Sequence, residues 1–85
     1  MKNEEETKAF VQQGIEAGNL VQAPLQNASL QEIDFRGCDL SGAILTNANL
    51  SGANLRGSNL SKSDLRGANL QGANLKEANL QEANL

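Results

Sequence analysis

The chain has 85 residues, a net charge of −3 and 39% apolar residues, with two phenylalanines, one cysteine and no histidine or tryptophan. That is room for a single domain of modest burial, held by neither an internal disulfide nor a Cys/His zinc site. It lacks the basic surplus that draws proteins to nucleic acid. No run reaches the roughly 18 apolar residues of a membrane helix, and the N-terminus has no apolar signal segment, so the expected setting is soluble and cytoplasmic.

The first element is a helix over about residues 3–17. Asn3 followed by Glu6 forms a capping-box pattern, and Glu4 and Glu5 complement the positive end of the helix. Phe10, Val11, Gly14 and Ile15 share one face at helical spacing. Gly14 is a point at which the helix could end, and Gly18 is the stop. Phe10, Val11 and Ile15 are expected to lie on whatever follows, so residues 1–17 read as an N-terminal cap.

From residue 18 onward the sequence repeats every five residues. Leu20, Leu25, Leu30, Phe35, Leu40, Leu45, Leu50, Leu55, Leu60, Leu65, Leu70, Leu75, Leu80 and Leu85 fall in register, 14 centres of which 13 are leucine. Two places before each centre stands a small residue, alanine in nine cases, with Gly18, Ile33, Cys38, Ser58 and Ser63 as the others. One place before stands Asn or Asp in 11 of 14, with Pro24, Ser29 and Ile44 as exceptions. Two places after, glycine recurs at Gly37, Gly42, Gly52, Gly57, Gly67 and Gly72.

A period of five suits neither regular structure. Five residues of α-helix advance about 500°, which scatters the leucines around the axis. In a strand, odd spacing sends alternate leucines to opposite faces. The set is buried together only if the chain turns once per repeat. A short extended piece then puts the small residue and the leucine on the inside, two apart, and Asn or Asp on the outside. The next two residues make the corner, where glycine tolerates a positive φ and Asn or Asp can bond to nearby backbone. Stacked coils satisfy one another's backbone groups. Each buried leucine contributes about 1.5–3 kcal/mol.

Ala-Asn-Leu at 48–50, 53–55, 68–70, 73–75, 78–80 and 83–85, inside this frame, resembles the pentapeptide repeat family over residues 18–85. The resemblance implies an all-β solenoid, a right-handed quadrilateral β-helix of about 3.5 coils with 20 residues per coil. The period of five itself gives a turn per repeat, not four turns per coil.

The repeat stops on Leu85, a core position with no cap beyond it. The expectation is association of this end with a second copy or with another repeat protein, unless the sequence is a stretch of something longer. No catalytic site is expected, because without histidine the acid–base work would fall to carboxylates or lysine. Asp34, Asp39 and Asp64 occupy the outward Asn position, and Cys38, Ser58 and Ser63 the inward small one. No cofactor or metal is expected.

With 20 residues per coil, Arg36, Arg56 and Lys76 would stack in one column about 4.8 Å apart. That makes them either an anion-binding stripe or a solvated face near Asp34 and Glu77. Like charges so spaced repel by roughly 1 kcal/mol in water.

The best-known members of the family resembled protect DNA gyrase by mimicking duplex DNA with an acidic rod. Here a rod is expected but acidity is not, since residues 18–85 carry six acids against five bases, a net of −1. The expected function is therefore a non-enzymatic scaffold or protein-interaction module, with gyrase mimicry as the alternative.

Overall fold

A computed structural model describes residues 3–85. Helix α1 spans Glu4–Ala17. Its start is the reciprocal pair that the sequence spells out. Asn3 Oδ1 accepts from the Glu6 N–H at 2.8 Å, and the Asn3 N–H donates to Glu6 Oε1 at 3.0 Å. Its end is a Schellman arrangement at Gly18, which has φ 68°. The Gly18 N–H donates to the Ile15 carbonyl (3.0 Å) and the Asn19 N–H to the Gly14 carbonyl (2.8 Å). The helix runs through Gly14 without interruption.

Beyond Gly18 the backbone turns at every repeat. Each centre's carbonyl accepts from the N–H three residues on, as in Leu20 from Ala23 at 3.1 Å and Leu50 from Ala53 at 3.0 Å. The third residue of each turn has a φ of 58° to 73°, which marks these as type II turns. Glycine fills six of these corner positions, but Gln22, Asn27, Glu32, Asn47, Lys62, Glu77 and Glu82 adopt the same conformation. From Asn19 to Asn79, the Asn or Asp before a centre folds back along the chain, its Oδ1 accepting from the N–H two residues later. Asn19 to Val21 and Asn59 to Ser61 are examples, both at 3.0 Å.

Parallel bridges join each repeat to the one 20 residues on: Asn19 to Asp39, Pro24 to Ile44, Ser29 to Asn49, Asp34 to Asn54, and onward to Asp64 with Asn84. Four turns separate ladder neighbours, so the coil has four sides. At each side a leucine N–H donates to the next coil, and the N–H before it donates to the previous one. Leu40 to Asn59 (2.7 Å) and Asn59 to Cys38 (3.0 Å) illustrate the pair. The bridges are single-residue because the extended piece between corners is only three residues long.

The centres and the small residues fill the interior. Phe35, Leu45, Leu50, Leu55 and Leu60 are fully buried, as are Ala43, Ala48 and Ala53. The body measures 30 × 26 × 22 Å, so the expected rod is replaced by a block nearly as wide as it is long. Among the described residues, no helix is long and apolar enough to cross a membrane.

Candidate interaction surface

The two ends of the coil stack differ. At the first coil, Leu20, Leu25, Leu30 and Phe35 are all at most 2% exposed. Helix α1 lies on this end. Val11 and Gly14 are buried, and Phe10 and Ile15 pack at the margin of the core together with Ile33. The ladder position on each side of this edge belongs to Asn19, Pro24, Ser29 and Asp34. The Asn19 N–H is engaged by the Gly14 carbonyl, and Pro24 has no N–H to offer. Ser29 and Asp34 keep theirs, and Ser29 lines a groove between α1 and the coil. That groove holds two cavities of about 560 and 450 Å³ whose linings share Glu4, Lys8 and Ser29.

At the other end, none of the described residues lies over the coil that closes on Leu85. Leu65 is 2% exposed, but Leu70, Leu75 and Leu80 are only half-buried and Leu85 is 73% exposed. Among the described residues no acceptor faces the N–H groups of Leu70, Leu75 and Leu80, and no donor faces the carbonyls of Ala68, Ala73 and Ala78. Their counterparts one coil earlier are all paired: the Leu50 N–H meets the Asn69 carbonyl at 2.8 Å, and the Ala48 carbonyl meets the Asn69 N–H at 2.9 Å. This end is therefore an open sheet edge backed by leucine.

The sides are polar. Arg36, Arg56 and Lys76 do stand in one column, since the Gly37 N–H bonds the Arg56 carbonyl (3.0 Å) and the Gly57 N–H the Lys76 carbonyl (2.9 Å). Two of the three are ion-paired. Arg36 grips Asp34 through Nη2 to Oδ2 at 2.7 Å and Nε to Oδ1 at 2.9 Å. Arg56 Nε reaches Glu77 Oε1 at 3.3 Å. The side-chain bonds from Arg36, and its backbone N–H, hold the Asp34 carboxyl at about 2, well below its usual 3.8. Arg66 lowers Asp64 in the same way, through a 2.6 Å bond. Two of the column's three cations are thus offset by carboxylates from the neighbouring positions.

The interior polar groups make no reactive cluster. Cys38 is buried, and burial pushes its thiol up from the ordinary value. Ser63 Oγ donates to the Leu60 carbonyl at 2.7 Å. Ser58 Oγ has no partner. No group of three metal-ligating side chains occurs among the described residues. Sequence reasoning identified neither the groove beside α1 nor the missing donor at Pro24. The exception at Pro24 in the Asn/Asp column was the available signal for the second.

A family model for pentapeptide repeats matches residues 19–57 and 58–85, in 8 copies. Among solved structures, a pentapeptide repeat protein from the cyanobacterium Cyanothece 51142 is 37% identical with a TM-score of 0.76. The match covers 78% of this chain and 46% of that one, so the chain spans about half the length of that protein. A pentapeptide repeat protein from Nostoc Pcc 7120 is 34% identical over 85% of this chain and 74% of its own, with a TM-score of 0.35. One from the Arabidopsis thaliana thylakoid lumen is 37% identical over 86% and 55%, with a TM-score of 0.42. A search of curated proteins finds no match. The period of five, the four-sided ladder, the family model and the Cyanothece structure lead to one assignment: the chain belongs to the pentapeptide repeat family, whose members form right-handed quadrilateral β-helices.

Proposed function

We propose that this chain is a non-enzymatic scaffold of about 3.5 coils, acting in the cytoplasm by taking a protein partner on the edge at Leu85. Pentapeptide repeat proteins are generally non-catalytic structural or interaction modules. The observation that carries the reading is the contrast between the ends. A leucine 73% exposed at Leu85, beside unpaired ladder groups, forms a surface that a strand-bearing partner would complete.

DNA-mimicking modulation of DNA gyrase is the alternative. A net charge of −3, ion-paired sides and a body only 30 Å long give it little support, because a duplex mimic needs a long, uniformly acidic surface.

The test is a pull-down from native cytoplasm with the tag at the N-terminus, comparing the wild-type chain with Leu85→Asp and with Arg36→Gln. The expected result is a partner lost on Leu85→Asp and kept on Arg36→Gln. Capture that ignores Leu85→Asp would overturn the reading. Recovery of gyrase, with inhibition of supercoiling by the purified chain, would put the alternative in its place.

A further inference from the structure

We infer that the groove between helix α1 and the first coil takes a short extended peptide, one that carries an acidic and an apolar side chain and pairs with the main chain of Ser29. The ladder one coil later shows the form of such pairing. There the Asn49 N–H donates to the Ala28 carbonyl (2.9 Å), the Leu30 N–H to the Asn49 carbonyl (2.8 Å) and the Glu32 N–H to the Ser51 carbonyl (2.9 Å). Residues 28–32 thus act as the preceding strand for residues 49–51. In the first coil the same three groups are the Ser29 N–H, the Ser29 carbonyl and the Gln31 carbonyl. None has a partner among the described residues. A parallel segment of five residues would meet all three, with a carbonyl from its first residue and N–H groups from its third and fifth.

Space for the segment is present at this place. Ser29 lines both cavities, of about 560 and 450 Å³, and Gln31 lines the second. The rest of the same edge is less suited. The Asn19 N–H is engaged by the Gly14 carbonyl, Pro24 has no N–H, and Asp34 lines neither cavity.

The lining selects the peptide. In the ladder register its third residue stands over Leu30, whose side chain turns inward and is 1% exposed. A side chain following that direction meets the second cavity, which Val11, Ile15 and Ile33 line, so an apolar residue belongs there. Lys8 lines both cavities and is in no ion pair among the described residues. Its ammonium suits a carboxylate on the peptide. Glu4, one helical turn away, lines both cavities as well and repels that carboxylate, which draws the acid to the Lys8 side. The groove lies at the opposite end of the coil stack from Leu85, so the inference stands apart from the role proposed for that edge.

Backbone amide NMR on the whole chain tests this. The probes are acetylated, amidated heptapeptides of alternating valine and threonine, with one aspartate placed at each position in turn, and a matched panel with arginine. At least one aspartate peptide is expected to shift the Ser29 amide and slow its exchange, while its arginine twin does neither. Pro24 holds the equivalent ladder position, between alanine and leucine as Ser29 is, so Ser29→Pro removes the donor where the fold accepts proline. That variant should bind about tenfold more weakly, the size expected for one main-chain bond. Ser29→Ala, which keeps the N–H, should bind as the wild-type chain does, and Lys8→Glu should prefer the arginine twin. A Ser29 amide that no peptide moves would overturn the inference, and so would binding unweakened in Ser29→Pro. Shifts confined to the amides of Leu70, Leu75 and Leu80 would also overturn it, leaving the edge at Leu85 as the peptide site. The same Ser29 shifts produced by inorganic phosphate, or by raising the protein concentration alone, would replace the peptide with a free anion or a second copy.

Discussion

Leu20 lies across Gly14 so closely that a β-carbon on the glycine would run into Leu20 Cγ and Cδ2. This contact seats helix α1 on the first coil, and it sets two effects against each other. In an exposed helix, Gly→Ala gains about 1 kcal/mol of propensity. At a close-packed contact, an added methyl forces shifts that typically cost about 1–3 kcal/mol. Gly14→Ala is expected to destabilise by about 1 kcal/mol net, read as a lower urea midpoint with an unchanged slope. A raised midpoint would mean that α1 rides loosely on the coil.

The corners allow a comparison of opposite signs. Gly57 has φ 68° and nothing within 4 Å of where its β-carbon would be, so Gly57→Ala isolates the cost of the left-handed conformation, about 1 kcal/mol. Lys62 holds φ 60° at an exposed corner. Removing its side chain relieves that strain but frees the unfolded chain, so Lys62→Gly is expected to gain only about 0.5 kcal/mol. Thermal unfolding of the two variants should move in opposite directions. A loss of stability in Lys62→Gly would show that the lysine stem makes contacts worth more than the backbone strain.

How much of this was legible beforehand varied with the range of the interaction. The Asn3–Glu6 box is local, and the sequence spelled it. The turn at every repeat followed from the leucine spacing, and glycine marked six of the corners. Charged corners such as Glu32 and Lys62 carried no such mark, because at those positions the ladder, not propensity, fixes φ. Gly14 read as a weak point of the helix, since propensity cannot see Leu20 lying over it. Four turns per coil came from family resemblance, because a period of five says when the chain turns but not by what angle. The acids beside Arg36 and Arg56 were both legible, though by different routes. Asp34 is two residues from Arg36, but Glu77 is 21 from Arg56 and becomes its neighbour only through the coil.

Ser58 and Ser63 occupy the same place in successive repeats, and both are 1% exposed. Their hydroxyls differ. Ser63 Oγ reaches the Leu60 carbonyl at 2.7 Å, whereas Ser58 Oγ reaches nothing. A buried hydroxyl without a partner carries a desolvation penalty of about 1–3 kcal/mol. Ser58→Ala is therefore expected to stabilise by about 1 kcal/mol. Ser63→Ala should cost about 0.5 kcal/mol, since the Leu60 carbonyl keeps the Ser63 N–H at 3.1 Å. Chemical denaturation of the two single mutants reads the difference, and equal shifts would show that Ser58 finds a partner, such as a trapped water, in solution.

The Asp34–Arg36 pair predicts a pH dependence with a definite sign. The hydrogen bonds from Arg36 hold the Asp34 carboxyl at about 2, against an ordinary value of 3.8. The folded state therefore binds the proton less tightly than the unfolded state does. The contribution is complete above about pH 3.8 and fades as the pH falls towards 2. Because the pair is exposed, the effect on overall stability is expected to be small, so the carboxyl itself is the better reporter. Following the Asp34 side chain by NMR through an acid titration should give a midpoint near 2, moving towards 3.8 in Arg36→Gln. Asp64, lowered by its own partner Arg66, should titrate unchanged in the same variant. If both carboxyls moved together, the depression would come from the summed field of the column and not from the bond between Arg36 and Asp34.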